Sequence, residues 1–151
     1  QPNRLALDGR SGPNRERNHT MGLDMYLTGK KFIPTNWENP EANVKEDGFR
    51  VSERQLELGY WRKHPNLHGY IVQTFAEGVD ECQNIELAAD DLRAILAAIE
   101  YNVLPETDGF FFGNSDGSEK PEDLKIFTAA LAWLEDKSDK TWRSVVYHAS
   151  W

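Results

Sequence analysis

Apolar Leu23, Met25 and Leu27 alternate with Asp24 and Tyr26, and this period of two predicts a half-buried strand. A second strand is predicted over 55–62, with Leu56, Leu58 and Tyr60 on one face and Trp61 on the other. The period then lengthens. Pro65 stands where a first helical residue belongs, and a helix from about 65 to 76 turns Leu67, Ile71, Val72 and Phe75 inward, with His68 near the apolar face and Gly78 as terminator. Residues 82–87 read as a short strand. Leu92, Ile95, Leu96, Ile99 and Val103 keep the helical i, i+3, i+4 spacing, with Asp90 and Asp91 in the first turn, where the helix dipole favours negative charge, and Pro105 as the end. A third helix is predicted from near Pro121, with Glu122 and Asp123 in its first turn and Leu124, Phe127, Leu131 and Leu134 as its stripe. Val145, Tyr147, Ala149 and Trp151 return to period two and predict a closing strand.

Between these segments, residues 34–48 read as a long loop, rich in Pro, Asn and Gly, in which Trp37 either plugs the core edge or forms part of a binding surface. Gly109–Gly113 reads as a short buried strand between glycines. Phe110, Phe111 and Phe112 cannot all face one side of it, so either both faces are covered or one ring meets an interface. Asn114–Ser118 is a polar turn. The order of elements predicts an α+β fold: a two-layer α/β sandwich in which one small, mostly antiparallel sheet is packed by about three helices.

Composition narrows the picture. The chain has 151 residues, 39% of them hydrophobic, enough for one domain that buries roughly 70% of its unfolded surface. Cys82 is the only cysteine, so an intrachain disulfide is excluded and a reducing compartment fits. No apolar run approaches the ~20 residues of a membrane helix, and the first twenty residues lack the apolar stretch of a secretory signal; a cytoplasmic location without membrane contact follows by default. Residues 1–20 read as a disordered tail or an extension upstream of a natural start at Met21, and 21–151 as one globular domain. The net charge is −8; Arg4, Arg10, Arg15 and Arg17 against Asp8 and Glu16 give the tail +2, so the remainder carries −10. An acidic body repels phosphate backbones and disfavours general nucleic-acid binding.

Chemistry concentrates in Gly59–His68. Tyr60 and Trp61 offer faces for stacking, Arg62 and Lys63 offer cations, and His68 follows at the start of a helix whose N–H groups favour an anion. These five residues form the candidate site for a small anionic, nucleotide-like ligand. Against this, Tyr60 and Trp61 also suit a core, with Arg62 and Lys63 balancing nearby acids. His64 and His68 have the i, i+4 spacing of metal ligands, but Pro65 places His64 before the helix and the H-E-x-x-H glutamate is missing. Cys82 as a nucleophile is opposed by Asp80 and Glu81, which disfavour the thiolate. No G-x-S-x-G elbow, phosphate loop or dinucleotide fingerprint occurs, and aligning an EF-hand loop on Gly117 puts Phe112 at the first ligand position. No cofactor is implied.

Met21–Leu27 (MGLDMYL), Gly59–Lys63 (GYWRK), Asn66–His68, Gly109–Gly113 (GFFFG) and the final Ser150–Trp151 resemble, in order, a family of small uncharacterised proteins of phages and prophages. His64–Pro65 and Gly69–Tyr70 depart from that pattern, and residues 1–20 have no counterpart in it. Some relatives bear a phosphoglycerate kinase label, which the residues here do not support. The resemblance implies a phage or bacterial accessory protein and supplies no reaction. The expectation is a protein that acts by binding, to a host protein or to the small anionic ligand, with counter-defence as one role. The alternatives are a small enzyme on a phosphorylated or nucleotide substrate with His68 as acid or base, and a virion-associated structural protein. A homo-oligomer is left open.

Overall fold

The computed structural model describes residues 22–109 and 112–151. Among the described residues six strands form: β1 (Asp24–Phe32), β2 (Lys45–Glu46), β3 (Phe49–Arg50), β4 (Glu53–Arg62), β5 (Ile85–Leu87) and β6 (Trp142–Ser150). Three helices accompany them: α1 (Pro65–Phe75), α2 (Ala89–Glu100) and α3 (Lys120–Glu135). The main sheet has the order β4-β1-β6-β5, with every neighbouring pair antiparallel. The fold is α+β, as the element order predicts.

The helices cover one face of the sheet. Leu23, Met25, Leu27, Trp61, Val145 and Tyr147 point into it and meet Leu67 and Ile71 of α1, Leu92, Ile95 and Ile99 of α2, and Phe127 of α3. Two glycines let α3 come close to the strands. A Cβ on Gly29 would sit 2.9 Å from the Trp133 ring, and one on Gly59 would sit 2.7 Å from Ile126. Between Leu27 and Thr28 the β1–β4 register shifts, Leu27 facing Gly59 and Thr28 facing Glu57. This bulge corrects the predicted faces of β4. The extra residue brings Leu58 to the core side with Trp61 and leaves Tyr60 on the opposite, uncovered face.

On that uncovered face Tyr26 lies 5.2 Å from Tyr60 and 6.4 Å from His148, ring centre to ring centre. The predicted loop over 34–48 contains the β2–β3 hairpin. Asp47 and Gly48 form its two-residue turn, both with positive φ (53° and 84°), the backbone that Asp-Gly favours and that matches strand twist. Of the predicted Gly109–Gly113 strand, Phe110 and Phe111 lie outside the described residues. Phe112 donates its N–H to the Gly109 carbonyl at 3.1 Å and is buried against His68 and Trp151.

Candidate functional site

The strand-to-helix turn after β4 holds the Gly59–His68 segment, and the structure distributes its side chains in three directions. Tyr60 and Arg62, two residues apart on the uncovered face, both bond Asp24 on β1, with Arg62 Nη1 at 2.9 Å. The carboxylate hydrogen bond raises the Arg62 pKa further above its ordinary value. Trp61 points the other way, stacks on Phe127 at 5.5 Å and donates Nε1–H to Asp123 Oδ1 at 2.7 Å. Lys63 turns the chain with φ 56°, donates its backbone N–H to Leu23 O and lays its side chain against Gly113. His68 is 2% exposed. Tyr60 and Arg62 are therefore brought together, while Trp61 and His68 lie in the core and do not share a surface with them.

His64 and His68 flank the first turn of α1 and belong to separate polar chains. His64 Nε2 is 2.7 Å from Asp123 Oδ2, and its Nδ1 is 2.7 Å from Ser115 Oγ. A carboxylate only accepts, so Nε2 carries a hydrogen toward Asp123, and Nδ1, when it bears none, accepts from the Ser115 hydroxyl. Ser115 Oγ in turn accepts the Asn66 N–H at the start of α1. His68 repeats the arrangement: Nε2 faces Asp80 Oδ2 at 2.9 Å, and Nδ1 faces the Tyr147 hydroxyl at 2.6 Å. Trp151 Nε1 caps the other Asp80 oxygen at 3.2 Å. Among the described residues no group of three or more His, Cys, Asp or Glu side chains is placed to hold a metal ion. His68 instead faces Asp80, and His64 faces Asp123, with Glu119 Oε2 3.8 Å from its Nδ1.

Burial, and after it the Asp80 charge, push the Tyr147 hydroxyl well above the ordinary tyrosine range. The folded protein therefore holds this proton more tightly than the unfolded chain. The corresponding stability is complete below the unfolded tyrosine pKa of about 10 and is lost as pH rises above it. Tyr147→Phe is expected to cost about 1–2 kcal/mol at neutral pH by stranding His68 Nδ1, yet to lose stability less steeply above about pH 10. Urea unfolding from pH 7 to 11 checks this; parallel curves for the two proteins contradict it.

Two further features escape a reading of the sequence. Asp123 stands in the first turn of α3, where an acid suits the helix dipole, but it is 1% exposed and accepts from both Trp61 and His64. Beside it, His64, Asn66, Asn102, Ser115, Glu119 and Lys120 line a cleft of about 160 Å³. The other feature is an apolar end of the sheet. Phe32, the last residue of β1, and Trp142, the first of β6, are register partners, both exposed, Trp142 at 82%. With Pro34, Lys30, Glu53 and Arg143 they line a cleft of about 520 Å³. Trp37 and Phe49, on the excursion between β1 and β4, are exposed as well, Trp37 at 83%, so Trp37 does not plug the core edge.

Among the described residues no helix is long and apolar enough to cross a membrane. Comparison with family models, curated proteins and solved structures gives no match.

Proposed function

We propose that this chain is a binding protein, of the accessory kind its motifs resemble, that engages a partner protein through the aromatic end of its sheet. The observation that supports this most directly is the Phe32–Trp142 pair, two large rings left in water at the mouth of an apolar cleft. Rings in this setting are the usual anchors of protein interfaces, because each buries a large area at little entropic cost. The neighbouring excursion adds Trp37 and Phe49. Over residues 33–53, Glu38, Glu41, Glu46, Asp47 and Glu53 against Lys45 and Arg50 leave a net −3. The fitting partner presents an apolar side chain to the cleft, with basic residues placed toward the acidic excursion.

The burial of Trp61 and His68, and the Asp24 contacts of Tyr60 and Arg62, favour this reading over a small ligand at Gly59–His68. His68 as a direct acid or base is disfavoured in the same way, since it is buried in the core between Asp80 and the Tyr147 hydroxyl.

The test is affinity capture from host lysate by the full chain, by Phe32→Ala/Trp142→Ala and by Tyr101→Ala, an exposed ring at the end of α2. The account expects a partner whose binding weakens about 30-fold or more in the double variant, the loss of ~2 kcal/mol typical of an aromatic anchor, and stays unchanged in Tyr101→Ala. Equal capture by all three contradicts it.

A further inference from the structure

A cleft away from the aromatic end of the sheet lies beside His64, Ser115 and Asp123. We propose that Ser115, His64 and Asp123 form an acyl-transfer site that hydrolyses small esters. The three parts a serine nucleophile needs are in place. The Ser115 hydroxyl is within hydrogen-bond reach of a base, His64 Nδ1, at 2.7 Å. The base is oriented by a buried carboxylate, Asp123 Oδ2, at 2.7 Å from the other ring nitrogen. That carboxylate is itself fixed, because Trp61 Nε1 holds its second oxygen at 2.7 Å and it lies almost wholly out of water. Either imidazole nitrogen can serve as base, so the use of Nδ1 toward serine leaves the chemistry unchanged.

The surroundings fit the same reading. Ser115 stands in the loop between Gly113 and Gly117, both in the left-handed region (φ 76° and 88°), and it lines the cleft together with His64. Asn102 and Lys120 line the cleft too. Lys120 Nζ donates to Glu100 O at 2.9 Å and to Asn102 Oδ1 at 3.2 Å, which leaves Asn102 Nδ2 and the third ammonium hydrogen as donors for an oxygen that turns negative. A cleft of about 160 Å³ suits a short acyl group.

In the first step Ser115 Oγ bonds to the acyl carbon while its proton passes to His64 Nδ1. The bond from that carbon to the leaving oxygen then breaks, and the proton on Nδ1 goes to the departing alcohol. Water next adds to the acyl-serine, giving one proton to Nδ1. The carboxylic acid leaves, and the Ser115 hydroxyl is restored by the same proton.

The test uses the full chain with a fluorophosphonate probe, in which serine displaces fluoride from phosphorus, and with p-nitrophenyl acetate. The expected results are one phosphonyl adduct that peptide mapping places on Ser115, and release of p-nitrophenolate. Ser115→Ala loses both. Asp123→Asn keeps the shape but offers an N–H to His64 Nε2, so Nδ1 must carry the ring hydrogen and cannot accept from serine. Its turnover should fall by about 10⁴. Absence of an adduct on Ser115 in the unmodified chain overturns the inference without recourse to any variant. Ester turnover unchanged in Ser115→Ala overturns it as well.

Discussion

Asp123→Ala is expected to lower stability by roughly 3–5 kcal/mol, one of the two largest effects of a single change in this protein. Removal of the carboxylate leaves Trp61 Nε1–H and His64 Nε2–H without their acceptors at buried positions. Each stranded donor costs about 1–3 kcal/mol, and the lost side chain leaves a void beside Phe127 and Trp61. For a chain of this length the melting temperature should drop by roughly 6–20 °C. Asp123→Asn should cost much less. Its oxygen still accepts from Trp61, its amide donates to His64 Nε2, and the ring answers by moving its hydrogen to Nδ1 and donating to Ser115. Thermal unfolding of the three proteins at pH 7 checks the order native, Asn, Ala. An Ala variant that melts with the native protein would show that Asp123 is not the shared acceptor.

Trp61→Ala is expected to cost about 3–5 kcal/mol, the usual result of emptying a large aromatic site in a core. Trp61 packs on Phe127 and satisfies Asp123, so its loss opens a cavity and deprives the carboxylate of a donor. Denaturant unfolding measures this directly. A change within ±0.5 kcal/mol would place Trp61 on a surface, where a ligand-facing ring belongs. Trp61 and Asp123 are in contact, so the double variant should cost less than the two single changes added together.

These effects separate what the sequence shows from what only tertiary contact decides. The alternation of Leu23, Met25 and Leu27 and the spacing of Leu92, Ile95 and Ile99 are local signals, and β1 and α2 appear where they predict. Helix α2 ends at Glu100, so Val103, which continues the stripe, stands exposed beyond it. The β2–β3 hairpin had a signal in Asp47-Gly48, the dipeptide that favours a two-residue turn, but its strands are too short to show alternation.

The bulge at Leu58 has no such signature. It moves Leu58 to the side that the period assigned to Trp61, so Leu58 and Tyr60, expected on one face, stand on opposite faces. Asp123 was hidden for a different reason. An acid in the first turn of a helix already has a local explanation, and its partners Trp61 and His64 lie 62 and 59 residues away. Ser115 likewise satisfies every rule for a polar turn until the fold brings it to His64. Trp142 occupies an ordinary strand position. Its exposure follows from its place at the end of β6, beside Phe32 and away from the helices.

The central claim, that the Phe32–Trp142 end is a partner-binding surface, is tested most directly by photo-crosslinking in cells that express the chain. Trp142→benzoylphenylalanine places the reactive ring in the apolar cleft, and Tyr101→benzoylphenylalanine places it on an exposed site outside that cleft. The account predicts one discrete crosslinked partner from position 142, lost when Phe32 is also changed to Ala, and none from position 101. The same crosslinked products from both positions, or none from position 142, would contradict it.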